Sequence, residues 1–416
     1  MSFKLPFFLT ICVCAAQQVR GGDWPQFLGP TRDGVYAGAD LAAAWPKEGP
    51  PVVWRKDIGE GFSGPAVAQH QLILFHRLND QEVVTCLDAR TGEPKWTKSY
   101  PTSYRDDFGF DEGPRATPCI AQGRIYTFGA EGMLSCLNLA DGAMLWQVNT
   151  KNKFHPPKGF FGDACSPLVE GNAVLMNIGG SGGAGLVAFD KATGNVLWKC
   201  SDDAASYSSP STASINGHRY AIFFTRAGLE AVDPADGKIQ FHYPWRSEMN
   251  ASVNAATPLI IDDSIFLSAC YDTGAILLRV RDNGVEKVWS GDGILSNHYA
   301  TSVYFRGFLY GIDGRADPSF RPAPSLRCVE LKSGKVRWQD ESVGPATILL
   351  AGDQLLILTE SGELIEAAAT PEAFKPGERV QIMPTGVRAY PALADGFLYA
   401  RSKDKIFCVN LGRTKE

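Results

Sequence analysis

No run of lysine or arginine exceeds two residues in this 416-residue chain, and its net charge is −5. That excludes the concentrated basic patch a nucleic-acid-binding surface needs. The six histidines include no His-x-x-x-His pair, and none of the ten cysteines stands beside another or at a zinc-knuckle spacing, so no structural zinc site is expected. The glycine-rich stretch Gly179–Gly185 lacks the Gly-Lys-Ser/Thr and the following helix of a phosphate cradle, and reads as a flexible turn. The compact apolar run Leu5–Ala16 is broken by Pro6 and is too short to span a bilayer as a mature helix.

That run follows Lys4 and precedes small residues at Cys14-Ala15-Ala16, with Gly21 or Gly22 as a second cleavage option. Residues 1–22 therefore read as a secretory signal, and a periplasmic or extracellular monomer is expected. Neither Cys12 nor Cys14 follows a small-residue lipobox. Removal of the signal leaves eight cysteines. Cys86, Cys136, Cys328 and Cys408 fall in one slot of a repeat described next, too far apart to pair, and read as small buried hydrophobes. One disulfide among the others stays open.

What the chain does have is a repeat. Thr85–Trp96 is TCLDARTGEPKW, an alternating strand, an Asp and a Gly that close a turn, and then a large flat ring. It returns as SCLNLADGAMLW at Ser135–Trp146, VAFDKATGNVLW at Val187–Trp198, EAVDPADGKIQF at Glu230–Phe241 and RCVELKSGKVRW at Arg327–Trp338. Looser copies lie at Leu278–Trp289 and Glu363–Phe374, and Phe407–Gly412 begins one as the chain runs out. Val52-Val53-Trp54 supplies the aromatic that this last copy lacks. The docking aromatics are thus Trp54, Trp96, Trp146, Trp198, Phe241, Trp289, Trp338 and Phe374, spaced 36 to 52 residues apart, about one four-stranded blade each. Eight aromatics imply an all-β, eight-bladed propeller over residues 52–412, closed by Val52–Trp54 as the outer strand of the last blade. Residues 23–51, rich in Pro and Gly, read as an extended arm lying across it, and residues 413–416 as a short tail.

The repeat resembles the tryptophan-docking motif, A-x-D-x-x-T-G-x-x-x-W, of the pyrroloquinoline-quinone (PQQ)-type propellers. That superfamily includes quinoprotein alcohol dehydrogenases and the outer-membrane assembly lipoprotein BamB. Asp23–Pro30, DWPQFLGP, is similar to the W-P-Q-F-R-G-P start of many secreted bacterial members, with Leu28 where Arg is usual. The motif is a packing device and implies the fold rather than a chemistry.

Strand order places the Thr-Gly turns on one face, the bottom, and the blade-to-blade links on the other, the top. The links Trp96 to Arg115 and Trp146 to Asp163 are long, and elaboration of one face marks the side that works. Inner strands begin with a Ser/Thr-Pro-like signature. The positions three or four residues earlier bring Phe62, Arg115, Asp163, Tyr207, Asn254, His298, Tyr299 and Arg388 to the top mouth of the channel, and Arg246 extends it. This set reads either as wet structural lining or as a site for an envelope protein or peptide, or for an anionic, partly aromatic small molecule. The acidic cluster Asp106-Asp107 with Asp111-Glu112 reads as a solvated loop. Under the resemblance, a quinoprotein would need PQQ and calcium, a vicinal disulfide and a Glu/Asn/Asp ligand set; the disulfide is absent and no acidic set aligns. The expectation is a non-catalytic binding or scaffolding propeller without cofactor, metal or catalytic residues, and the alternative a PQQ-dependent alcohol or sugar dehydrogenase.

Overall fold

The computed structural model describes residues 22–250, 252–282, 284–317 and 322–413. The signal expected over residues 1–22 lies almost wholly outside them, as do residues 414–416. Eight sheets of four antiparallel strands follow one another around a ring. Blade 1 spans Ala66–Pro101, blade 2 Cys119–Asn149, blade 3 Leu168–Cys200 and blade 4 Ser211–Pro244. Blade 5 spans Leu259–Gly291, blade 6 Val303–Asp340 and blade 7 Ala346–Gln381. Blade 8 takes three strands from Ala392–Asn410 and its outer strand from Val52–Asp57, which pairs antiparallel with Lys405–Asn410. Both chain ends are used in that closure, so no blade is left with a strand missing.

The two middle strands of a blade, such as Ala173–Gly180 and Ala184–Asp190, are buried almost throughout, whereas an outer strand such as Met144–Asn149 is exposed or half-buried. The core lies between blades, and the repeat explains how. The Trp54 indole of blade 8 donates from Nε1 to the carbonyl of Ala89 in blade 1 at 3.0 Å. Its ring lies flat on the turn of that blade's motif, where Gly92 has φ of +72° and a Cβ would sit 2.7 Å from the ring. No other residue fits both the backbone and the indole. Trp96, Trp146 and Trp198 repeat the bond to Leu139, Lys191 and Pro234 at 3.0, 3.2 and 3.0 Å, each one blade on. Trp289 and Trp338 reach Leu331 and Thr370 at 2.7 and 2.9 Å. Phe241 packs at the blade 4–5 junction. Phe374 departs from the pattern. It precedes its outer strand, Pro376–Gln381, and its ring lies 5.9 Å from that of Trp338, at the junction before blade 7 rather than after it. The arm contributes Trp45 instead, buried in the cluster that joins blades 7, 8 and 1.

Residues 23–51 do more than lie across the ring. Trp24 pairs with Val67 of the blade 1 inner strand, Ile120 of blade 2 donates to Pro25 O at 2.7 Å, and Val35-Tyr36 adds a parallel strand to Leu350-Ala351 of blade 7. Between these contacts the chain enters the channel from below, with Trp24, Leu28 and Arg32 buried. Arg32 donates from Nη1 to the carbonyls of Ser166 and Pro210 at 3.3 and 2.9 Å, from Nη2 to that of Pro167, and from Nε to Gln26 Oε1 at 3.0 Å. The WPQFLGP segment is the start of a plug.

Above the plug runs a belt of hydroxyls, which accounts for the Ser/Thr-Pro signature. The backbone N–H of Gly64 donates to Thr117 Oγ1 at 3.2 Å, that of Thr117 to Ser166 Oγ at 2.9 Å, and that of Ser166 to Ser209 Oγ at 2.9 Å. Thr257 N–H likewise donates to Thr301 Oγ1 at 3.0 Å, and Thr301 N–H to the Tyr390 hydroxyl. Each bond joins one inner strand to another and contributes about 1 kcal/mol net. A proline in the next position removes a donor where no partner is available. All eight described cysteines are free thiols.

Candidate functional site

The long top links fold inward over the mouth. In the first, Asp106 Oδ2 accepts from Phe110 N–H at 2.6 Å, and Gly109 takes φ of +67°, so Phe108 and Phe110 are turned out of the loop. Both rings stay about half exposed, at 55% and 51%. The second link opens with one helical turn, Thr150–Phe154, capped by the Asn149 side chain, and carries Phe160 and Phe161 back toward the axis. Phe108 meets Phe160 and Phe161 at 6.2 and 5.2 Å, and Phe161 meets Phe110 and Tyr207 at 5.9 and 5.7 Å. The Tyr207 hydroxyl accepts from Phe161 N–H at 3.0 Å, and Lys158 pairs with Asp107 across the two links. Five aromatics from two loops and blade 4 thus form one cluster over the mouth.

Of the four acidic residues in the first link, Asp107 is exposed and Glu112 half-buried, as a solvated loop would have them, but the other two are not. Asp106 and Asp111 are buried. Asp111 accepts from Gly61 and Gly113 N–H at 3.1 and 2.7 Å, which fixes the segment leading into blade 1. Arg401, fully buried, donates to Gly59 O at 2.8 Å, and His76 Nδ1 accepts from Gly59 N–H at 2.8 Å. These four contacts position Phe62.

Phe62 lies between two cations: the Arg115 guanidinium carbon is 5.9 Å from its ring centroid and that of Arg388 is 6.0 Å. Neither arginine lacks a counter-charge. Arg115, its side chain only 8% exposed, donates to the carbonyls of Asp111 and Gly113, lies 4.9 Å over Tyr104 and approaches Asp106 at 4.0 Å. Arg388 Nε meets Glu360 Oε1 at 2.9 Å, and Tyr299 donates to the same oxygen at 2.8 Å. Burial, then the Glu360 charge, raises the Tyr299 phenol well above its ordinary range, so it stays a donor. His298 shares its Nε2 with the Tyr271 hydroxyl at 3.0 Å, while its buried Nδ1 has no hydrogen-bond partner among the described residues. Burial, then Arg315 and Arg388, pushes its pKa down to about 4, so the imidazole is neutral.

Two of the sequence candidates do not face the mouth. Asn254 is buried; its side-chain Nδ2 donates to Thr225 O at 2.8 Å, and its backbone carbonyl accepts from Tyr207 N–H. Asp163 turns toward blades 1 and 2, where a Cβ on Gly132 would lie 3.1 Å from its carboxylate. Burial, then repulsion from Glu82, raises its pKa to about 7. Phe62, Arg115, Arg388, Tyr299 and His298 form one arc; Tyr207 lies on the opposite side with Arg246.

On that second side the sequence offered Tyr207 and Arg246 but not Arg226. Arg226 stands 5.7 Å over the Phe160 ring and donates to the carbonyls of Ser252, at 2.7 Å, and Asn250. Burial and the nearby charge of Arg246 lower its pKa. Phe108-Gly109-Phe110 and Gly159-Phe160-Phe161 were visible as aromatics in loops with no strand to bury them. Pairing of Arg115 with Asp106, and of Arg388 with Glu360, was not visible.

Among the described residues no cluster of three or more His, Cys, Asp and Glu is placed to hold a metal ion. The donor set does not fit a calcium-bound quinone.

The profile of the family described as outer membrane protein assembly factor BamB matches residues 79–340. The chain belongs to that family. The BamB assembly factor of Yersinia pestis is 24% identical over 258 residues, 59% of either chain, and that of Shewanella oneidensis 25% over 158 residues, 36% of either. The chain therefore spans under two thirds of the curated BamB relatives it matches. Among solved structures, quinohemoprotein alcohol dehydrogenase from Comamonas testosteroni superposes with a TM-score of 0.70 at 16% identity, over 96% of this chain and 82% of that one. BamB from Moraxella catarrhalis gives 0.62 at 12%, over 88% and 99%. At these identities the likeness shows the fold, and both a dehydrogenase and an assembly factor carry it. No helix among the described residues is long and apolar enough to cross a membrane.

Proposed function

We propose that this BamB-family propeller is a non-catalytic binding protein of the cell envelope that engages a protein partner through its top face. The observation that carries this reading is the aromatic cluster over the mouth. Phe108 and Phe110 are held half exposed by a loop whose own hydrogen bonds turn them outward. A soluble surface keeps such rings in water at a cost unless a partner covers them. The channel below is filled by the plug, so the usable surface is a shallow lid and not a deep pocket. Among the described residues no three His, Cys, Asp or Glu side chains are grouped to hold a metal ion beside a quinone, which counts against the dehydrogenase reading.

The test is site-specific photo-crosslinking in cells that make the protein. A benzophenone amino acid at position 108 or 110 samples the top; the same residue at 145 or 197, exposed on outer strands near the opposite face, is the control. Discrete protein adducts from the top positions are expected. Adducts from the bottom positions alone would place the working surface on the other face and end this reading.

A further inference from the structure

Resting on that reading, we infer that the corner made by Arg226, Arg246, Phe160 and Tyr207, beside the exposed Phe108 and Phe110, binds a protein segment carrying a carboxylate next to aromatic or aliphatic side chains. The two arginines of the other arc, Arg115 and Arg388, are matched by Asp106 and Glu360. Those of this corner are not. No carboxylate oxygen among the described residues lies within 4.0 Å of Arg226 or Arg246. Arg226 is held instead by two backbone carbonyls, and Arg246 donates from Nε to Ser247 O at 3.1 Å. Asp202 and Asp203, on the link into blade 4, are engaged by Gly183 N–H and the Thr225 hydroxyl.

Two like charges kept close together repel; burial first and then the Arg246 charge lower the pKa of Arg226. An anion placed between them removes that cost and adds charge-assisted hydrogen bonds, for which the guanidinium fork is well shaped. The surroundings favour one kind of anion. Phe160 packs under Arg226, Phe161 and Tyr207 continue the apolar floor, and Met249, three residues on from Arg246 in sequence, is 42% exposed. A free inorganic anion would use the charges and leave this floor bare; a segment with acidic and apolar side chains covers both. The net charge of −5 over the whole chain makes the corner a local exception, which favours steering of an acidic segment to it.

The probe is a fluorescein-labelled twelve-residue peptide alternating Asp with Leu and Phe, followed by anisotropy on the mature chain at low and at roughly 0.3 M salt, where the Debye length is shorter. Controls are the same peptide with Lys for Asp and one with Ser for Leu and Phe. The Asp/Leu/Phe peptide is expected to bind more tightly than either control and to weaken with salt. Arg246→Gln should weaken it several-fold and Arg226→Gln/Arg246→Gln by about tenfold or more, which corresponds to about 1.4 kcal/mol. Because Arg226 also ties down residues 250 and 252, the exposed Arg246→Gln alone, with an unchanged melting temperature, keeps the test decisive. Equal binding of the Lys peptide, or wild-type affinity in both arginine variants, overturns the inference. If that happens while top-face crosslinks persist, the charge assignment alone falls; crosslinks confined to the bottom remove the parent reading as well.

Discussion

Arg32 and Pro210 stand 178 residues apart, yet the guanidinium of the first donates to the carbonyl of the second at 2.9 Å inside the channel. That carbonyl and those of Ser166 and Pro167 depend on Arg32 for donors. Burial lowers its pKa, and the thiols of Cys119 and Cys165 are the titratable groups that act on it. Arg32→Met keeps most of the volume and removes the donors. A loss of about 2–4 kcal/mol in unfolding free energy is expected, read by denaturant titration. Wild-type stability would mean that the plug does not seal the channel through this residue.

Closure gives the second prediction. Trp54→Ala strips blade 8 of the ring that lies on Gly92 and should cost about 3–5 kcal/mol. Phe374→Ala, at a position outside the docking pattern, should cost clearly less. Equal losses would show that the two aromatics do the same job, against the geometry.

The repeat was legible because its two most distinctive residues, the turn glycine and the ring, touch each other across blades, as Gly92 and Trp54 do. Selection on one contact repeated around a ring leaves a periodic trace. The plug left none. Trp24-Pro25-Gln26-Phe27-Leu28 has no second copy, and its partners are backbone atoms of inner strands, to which any sequence could bond. The arc at the mouth was half legible: spacing from the inner-strand prolines brought Phe62, Arg115 and Arg388 together. Their counter-charges, Asp106 and Glu360, sit in loops whose course no spacing encodes. For the same reason Asn254 and Asp163 were placed at the mouth by position, while their side chains turn elsewhere.

The third prediction is a pH dependence with two opposed parts. Glu82 and Asp163 have pKa values raised to about 7, from 4.5 and 3.8, mainly by burial. The folded state therefore holds protons that the unfolded state has released between about pH 4 and 7. Each carboxyl adds stability as pH falls through that window and loses it as pH rises. His76 and His298, lowered to about 4 by burial, act in the other direction, losing stability as pH falls below about 6.5. Glu82→Gln/Asp163→Asn removes the contribution of these two carboxyls, so its melting temperature, measured relative to wild type, should drop progressively from pH 7 to pH 4. A constant difference across that range would reject the buried-acid assignment.

A fourth prediction concerns the thiols. Seven of the eight described cysteines are buried and Cys200 is half-buried, with burial pushing its pKa up to about 12. A thiol that stays protonated is a poor nucleophile. Ellman's reagent should report essentially no reactive thiol at pH 8 in native protein made without residues 1–22, and all eight after denaturation. Rapid reaction of several thiols in the native state would mean that the blades are open.

The salt bridge between Asp57 and Lys405 joins residues 348 positions apart, at 2.7 Å, in the two strands that complete the last blade. In a chain made from its N-terminus, Val52–Asp57 emerge long before their partners Lys405–Asn410. For most of that time the first-made strand has no sheet to join, and the ring is a crescent with two raw edges. Such a long-range pairing is slow to form, and the waiting edge is exposed to other chains. Synthesis rate and a holding chaperone should therefore govern the yield of this protein more strongly than the strength of any single blade.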